Sequence, residues 1–168
     1  IYFLFLDAKE KNMGILIING SPRLDNKTYL VCERVEKICK KKNIDCELMN
    51  LYELENNFEQ YQNHVFRHNM ILWCIPEYNR SFTSVVKLFV EKLGVECLSK
   101  KLSGIIATSI GPSARAGLNQ SANLLFSMDS VVVTPGIEYY FLTKDTDKIN
   151  KNISILIDNM NYFEKKLF

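Results

Sequence analysis

Ile15-Leu-Ile-Ile-Asn-Gly-Ser-Pro-Arg-Leu-Asp-Asn-Lys-Thr28 is the stretch around which the rest of the chain is organised. Its apolar start, Ile15–Ile18, reads as a strand. After Thr28 the apolar residues Val31, Val35 and Ile38 fall at i, i+4, i+7, the spacing of a helix that ends at lysines 40–42. The loop between them, Asn19–Thr28, holds a glycine, two hydroxyls and an arginine. A strand that runs into such a loop and opens into a helix is suited to an anion, because loop amides and the helix N-terminus point partial positive charge at one spot. Ser21 and Thr28 can donate from their hydroxyls, and the planar fork of Arg23 matches a phosphate bidentately. The plain alternative is a strand-to-helix turn whose Ser, Asn and Asp residues cap the helix.

From Met13 onward, apolar runs alternate with helical patterns, the signature of a parallel sheet covered by helices on both faces. Strands are predicted at about Gly14–Asn19, Ile44–Asn50, Met70–Ile75, Ser103–Ser109 and Val131–Thr134. Met70–Ile75 is apolar throughout, as expected of a central parallel strand. Helices are predicted after the first loop and over Glu55–His68, Ser84–Leu93 and Ala116–Met128. A final amphipathic helix carries Ile149, Ile153, Leu156, Met160, Phe163 and Leu167 on one face. Five strands with intervening helices fit an α/β fold, a flavodoxin-like three-layer sandwich whose five-stranded parallel sheet has the order 2-1-3-4-5. Ligands in such sheets bind beyond the carboxyl ends of the strands, where strands one and three diverge. The loops with unusual chemistry follow strands one, three and four, which is that edge.

At 168 residues one domain is the default, and 47% hydrophobic residues suffice for an ordinary core. We expect a single domain over residues 13–168, with Met13 as a natural start. Residues 1–12 then form a leader, a tag remnant or a short extra segment. The apolar hexamer Ile1–Leu6 is too short for a signal-peptide core or a membrane span, so no membrane partner is expected. A net charge of +2 and a pI of about 8.2 are too balanced for nucleic-acid binding, and the longest basic run, Lys40–Lys42, sits where a helix ends. Five widely spaced cysteines without a C-x-x-C pair, and only two histidines, give no basis for a metal site and fit a reducing cytoplasm. Cys74 lies inside an apolar run and reads as a small core residue.

The first loop lacks the second glycine of G-x-x-x-x-G-K-[ST] and does not match G-x-G-x-x-G. A single terminal phosphate held by hydroxyls and one arginine is the better fit. The loop after the third strand, Pro76-Glu-Tyr-Asn-Arg-Ser-Phe82, suits edge recognition of a flat heteroaromatic ring, with Tyr78 offering a stacking surface. A Pro-led surface turn is the alternative.

Gly20-Ser-Pro-Arg23 with Asn26 and Thr28, together with Pro76-Glu-Tyr-Asn79, resembles the NADPH-dependent FMN reductase family over about Met13–Ile137. The resemblance implies a flavodoxin-like fold and an FMN cofactor. It assigns the FMN phosphate to Ser21, Arg23, Asn26 and Thr28, and the ring and ribityl chain to Pro76, Glu77, Tyr78 and Asn79. It assigns Ser109 and Gly111 to a third loop that closes over the flavin. Two departures stand out: Arg80 replaces the glycine that usually follows P-E-Y-N, and Val86-Lys-Leu-Phe-Val-Glu-Lys92 keeps the Lys of L-K-N-x-x-D-W but not its tryptophan. The implied activity is a cytoplasmic NAD(P)H oxidoreductase, with NADPH or NADH as co-substrate. Hydride passes through flavin N5 to a small acceptor (quinone, azo compound, free flavin or metal oxyanion) by a ping-pong mechanism. No catalytic side chain is required, since the cofactor carries the chemistry. A homodimer or homotetramer is also implied. The competing readings are a non-enzymatic flavin electron carrier, which the positive charge and Arg23 oppose, and a flavin-binding redox sensor.

Overall fold

The computed structural model of the chain describes residues 14–142 and 146–168, so the expectation for residues 1–12 lies outside the described residues. Its first strand, β1 (Ile15–Asn19), is buried at every position. It pairs in parallel with β2 (Cys46–Asn50) on one side and β3 (Met70–Pro76) on the other. β3 pairs in parallel with β4 (Leu102–Ser109). This is the 2-1-3-4 order expected from the sequence, and it completes a flavodoxin-like sheet.

The residues of β1 alternate between two cores. Ile15 and Ile17 join Val31, Val35, Leu72, Ile153 and Leu156 beneath α1 (Thr28–Lys41) and α5 (Thr146–Leu167). Leu16 and Ile18 join Trp73, Phe89, Leu93 and Leu125 on the opposite face. That face is covered by α2 (Leu54–Arg67), α3 (Ser84–Leu98) and α4 (Arg115–Ser127). A strand buried on both sides needs apolar residues at both parities, which is why these segments read as continuous runs. Among the described residues, no helix is long and apolar enough to cross a membrane.

Three expectations need correction. The fifth position of the sheet is filled by two segments in line, β5 (Val131–Val132) and β6 (Ile137–Tyr140), both parallel to β4. Pro135 and Gly136 interrupt the strand rather than ending it, since proline cannot donate to the ladder. The larger share of the pairing, Ile106–Ser109 with Ile137–Tyr140, thus falls beyond the predicted strand. Second, α5 buries Ile149, Ile153, Leu156 and Met160 as expected, but Glu164 takes the inner position near its end while Phe163 and Leu167 are exposed. Third, α3 continues past Leu93 to Leu98, with a break at Gly94, whose φ of 71° is open to glycine at little cost.

Candidate functional site

β1, β3 and β4 end at the same edge of the sheet, and their loops, with the end of β6, enclose a cleft of about 640 Å³. That volume is ordinary for a small-molecule or cofactor site. All ten residues singled out in the sequence line it: Ser21, Arg23, Asn26, Thr28, Pro76, Glu77, Tyr78, Asn79, Ser109 and Gly111. Asp25, Lys27, Thr108, Ile110 and Phe141 also line it and were not anticipated.

The first loop is fixed at both ends. Gly20 N–H donates to the Cys74 carbonyl at 2.8 Å, and the Thr83 hydroxyl donates to the Gly20 carbonyl at 2.6 Å. A Cβ at position 20 would lie 2.7 Å from Val86 Cγ2, so only glycine allows the loop to pass this close to α3. Asn19, fully buried, donates from its side chain to Asn50 Oδ1 at 2.9 Å and accepts from Ser21 N–H at 3.2 Å. Ser21 Oγ accepts from Arg23 N–H at 3.2 Å, leaving its own proton to donate into the cleft. The buried Thr28 hydroxyl shares a 3.0 Å hydrogen bond with that of Thr108, tying α1 to β4.

Asn26 lines the cleft and is also engaged within its own loop. Its Oδ1 accepts from Tyr29 N–H at 2.9 Å and its amide donates to the Arg23 carbonyl at 2.7 Å. The side chain therefore folds the loop and caps α1, a role that Asn serves through its short polar arm.

The helix ends decide where an anion can go. α1 has no acidic residue in its first turn, and Lys27 precedes it without a side-chain cap. Among the described residues, nothing accepts from the N–H groups of Asn26, Lys27 or Thr28. Asn26, Lys27 and Thr28 line the cleft together with Ser21 and Arg23, so the start of α1 lies at its wall, where free N–H groups and the helix dipole favour an anion. Asp25 is the only carboxylate from the first loop that lines the cleft.

The N-terminus of α4 is closed instead. Glu77, expected along a ring, accepts from Gly117 N–H at 2.7 Å, capping α4 from another loop. Glu138 of β6 accepts from Ala114 N–H at 3.3 Å, from the Arg115 guanidinium and from the Tyr140 hydroxyl. Burial would raise the Glu138 carboxyl, but these donors outweigh it and hold the group below the usual glutamate value. The bond to Glu138 pushes the Tyr140 phenol up, ahead of burial.

The P-E-Y-N segment is a two-residue hairpin. Tyr78 and Ser81 exchange backbone bonds of 2.9 and 3.0 Å, with Asn79 and Arg80 at the tip, both at positive φ (50° and 63°). This is the type I′ pattern, which usually takes Asn-Gly. The hairpin's base is secured by Glu77 N–H to the Thr108 carbonyl at 2.7 Å. The Arg23 guanidinium lies 5.6 Å from the centre of the half-exposed Tyr78 ring, so the two motif loops meet across the cleft. In the third loop, Ser109 Oγ accepts from Gly111 N–H at 2.9 Å.

The family model of NADPH-dependent FMN reductases matches residues 13–145. The chain belongs to that family. No curated protein sequence matches it. Solved structures extend the likeness in fold. An oxidoreductase from Corynebacterium diphtheriae is 16% identical over 90% of this chain and 96% of its own, with a TM-score of 0.76. An NADH:FMN oxidoreductase in its apo form is 17% identical over 89% of this chain and 88% of its own, TM-score 0.75. A flavodoxin from the domain Archaea is 16% identical over 89% and 97%, TM-score 0.68.

In this FMN reductase family member, Glu47, His64, Cys32, Cys39 and Cys46 are not among the residues that line the cleft. Glu47 accepts from His64 Nδ1 at 2.7 Å on the outer side of β2. Burial pushes the Cys39 thiol up to about 12 and raises Cys32 and Cys46 as well, which makes these thiols poor nucleophiles at neutral pH. Cys74 is fully buried in the core, as its apolar run implied.

Proposed function

We propose that the protein is an FMN-dependent NAD(P)H oxidoreductase whose cleft holds FMN with its phosphate on the α1 N-terminus. The observation that carries this reading is the asymmetry of the helix ends. α4 is closed by Glu77 and Glu138. At α1, Asn26 takes Tyr29 N–H and the Lys27 carbonyl takes Leu30 N–H, while no described residue accepts from the N–H groups of Asn26, Lys27 and Thr28, beside Ser21 and Arg23. That donor set fits a single phosphate, and the absence of a second glycine close to the loop disfavours a pyrophosphate.

Arg23 and Lys27 would neutralise the phosphate, and Ser21 and Thr28 would fix its orientation. Tyr78 and Asn79 lie on the hairpin across the cleft, where an aromatic face and an amide can flank a ring and bond its edge. Glu77 supports this arrangement through α4 rather than by touching the ring. Ser109 and Gly111 shape the third wall. When bound, FMN would supply hydride chemistry, taking two electrons from NADPH or NADH and passing them to a quinone, azo compound, free flavin or metal oxyanion in a ping-pong cycle. No side-chain acid or base is needed for that exchange.

The exposed Leu24, Ile110 and Leu142 come from the loops after β1, β4 and β6. An apolar collar of this kind supports a homodimer or homotetramer that partly covers the cleft. We place the protein in the cytoplasm, on its free thiols.

The test is anaerobic. Protein reconstituted with FMN and washed should be yellow at one flavin per chain, and NADPH or NADH should bleach it. Retention of flavin without bleaching by either nucleotide would overturn the reductase reading in favour of an electron carrier. Failure to retain flavin would overturn the cofactor assignment.

A further inference from the structure

Lys27 stands where a helix tolerates a cation least. It immediately precedes α1, at the positive end of the helix dipole, whereas Lys40 and Lys41 occupy the last turn, where a cation is favoured. Among the described residues no carboxylate forms an ion pair with it. What its ammonium meets is a ring: Nζ lies 5.9 Å from the centre of Phe141, and both residues line the cleft.

That contact is built by two elements in register. The Lys27 backbone is already helical (φ −71°, ψ −21°), so Lys27 and Arg34, seven residues or two turns apart, share a face of α1. Tyr139 and Phe141 are two apart along β6 and its continuation, so their side chains share a face of the sheet. The Arg34 guanidinium lies 5.9 Å from the Tyr139 ring, as Lys27 does from Phe141, and the two rings are 5.1 Å apart at 60°. Arg34 donates to Asn150 Oδ1 of α5 at 3.0 Å, Tyr139 is buried in the core, and Phe141 N–H donates to the Ser109 carbonyl at 3.1 Å. The Phe141 ring is therefore a braced platform. An aromatic face attracts a cation without neutralising it and uses none of its three donors, so the ammonium keeps its charge and its N–H groups for an anion in the cleft.

We propose that Phe141 is a positioning residue that holds the Lys27 ammonium at the cleft wall, and that the pair sets how strongly the site prefers a flavin with a terminal phosphate over one without it. This rests on the FMN reading above. A carboxylate in place of the ring would hold the lysine as firmly but would repel the phosphate. An aliphatic side chain would leave the flexible four-carbon stem free to swing into solvent.

The test measures binding of FMN and of riboflavin to the flavin-free protein by fluorescence quenching. Wild type is compared with Phe141→Leu, Phe141→Met, Phe141→Tyr, Lys27→Met and the Lys27→Met/Phe141→Leu double variant. The readout is the ratio of the two dissociation constants, which cancels general damage to the cleft. Wild type should favour FMN. Phe141→Leu should cut that preference about two- to fivefold, the worth of an exposed cation–π contact, and Phe141→Tyr, which keeps the face, should retain it. Phe141→Met fills the space with a flexible chain and no π face, so it should repeat the loss with a second packing. In the Lys27→Met background, Phe141→Leu should change the ratio no further. A wild-type ratio in Lys27→Met, Phe141→Leu or Phe141→Met would overturn the role of Phe141 and leave the phosphate site on α1 standing. So would a loss in Phe141→Tyr as large as in Phe141→Leu, or a loss equally large without Lys27. Equal binding of FMN and riboflavin by wild type would overturn the phosphate assignment itself, and the proposal with it.

Discussion

Replacing Glu77 by alanine separates two roles that the P-E-Y-N motif leaves merged. In the structure its carboxylate accepts from Gly117 N–H at 2.7 Å, at the third residue of α4. That helix has no acidic residue in its first turn and no side-chain cap on Ala114. The Ser113 hydroxyl accepts from Arg115 N–H at 3.1 Å, and Glu77 adds a charged acceptor for Gly117 N–H from forty residues away along the chain. A lost N-cap costs about 0.5–2 kcal/mol, and a charged partner at the positive helix end raises the share by about 0.3–1 kcal/mol. Glu138 remains on Ala114 N–H at a longer 3.3 Å, which retains part of the stabilisation. We therefore expect Glu77→Ala to lose about 1–2 kcal/mol, a fall in Tm of roughly 2–8 °C for a chain of this size. Glu77→Gln keeps a neutral acceptor and should lose about half as much. Urea unfolding of the flavin-free protein is the assay, because it excludes any contribution from a ligand. If Glu77→Ala unfolds at the wild-type midpoint while losing FMN affinity, the carboxylate serves the flavin directly and the capping argument is wrong.

Three further outcomes follow from the same geometry. Arg23→Ala should weaken FMN binding by about 1.5–3 kcal/mol, roughly tenfold to a hundredfold, because a charge-assisted phosphate contact is lost; fluorescence titration showing wild-type affinity would refute the phosphate assignment. Gly20→Ala places a methyl 2.7 Å from Val86 Cγ2 and 3.2 Å from the Cys74 carbonyl, and should cost about 1–3 kcal/mol by overpacking; an unchanged unfolding midpoint would show that the loop shifts freely. His68 is fully buried with Nδ1 against the His64 carbonyl at 2.7 Å and Nε2 3.8 Å from Glu47. Burial lowers its pKa from 6.5 despite the His64 and Glu47 oxygens, so the unfolded chain takes up the proton first. Its stabilising contribution is complete above 6.5 and declines as pH falls through the lowered value; denaturant midpoints between pH 8 and 5 should fall more steeply for wild type than for His68→Gln, and parallel curves would exclude this effect.

Particular residues show where the sequence sufficed. Ile15–Ile18 and Met70–Ile75 are apolar at both parities, and that pattern is a direct consequence of burial between two helical layers. Strand order followed from counting such runs, and the cleft from the rule that binding loops gather at the carboxyl edge. The ten expected residues do meet there, because each sits within a few positions of a strand end.

The assignments that needed the tertiary structure all depend on partners distant in the chain. Glu77 meets Gly117, Thr28 meets Thr108, and Ile106–Ser109 recruits Ile137–Tyr140 past a proline that locally signals an end. A carboxylate bound to a helix N-terminus and one free to face a ligand are identical in sequence, since neither periodicity nor turn propensity encodes which amide lies opposite. Asn79-Arg80 likewise lacks the glycine by which a type I′ hairpin is recognised, and only the Tyr78–Ser81 bonds reveal it. The sequence by itself determined the sheet, its covering helices and the edge where chemistry gathers, because these follow from hydrophobic periodicity. The fold alone decided which helix N-terminus is closed by carboxylates from distant segments, because that depends on which charges long-range packing delivers to each end.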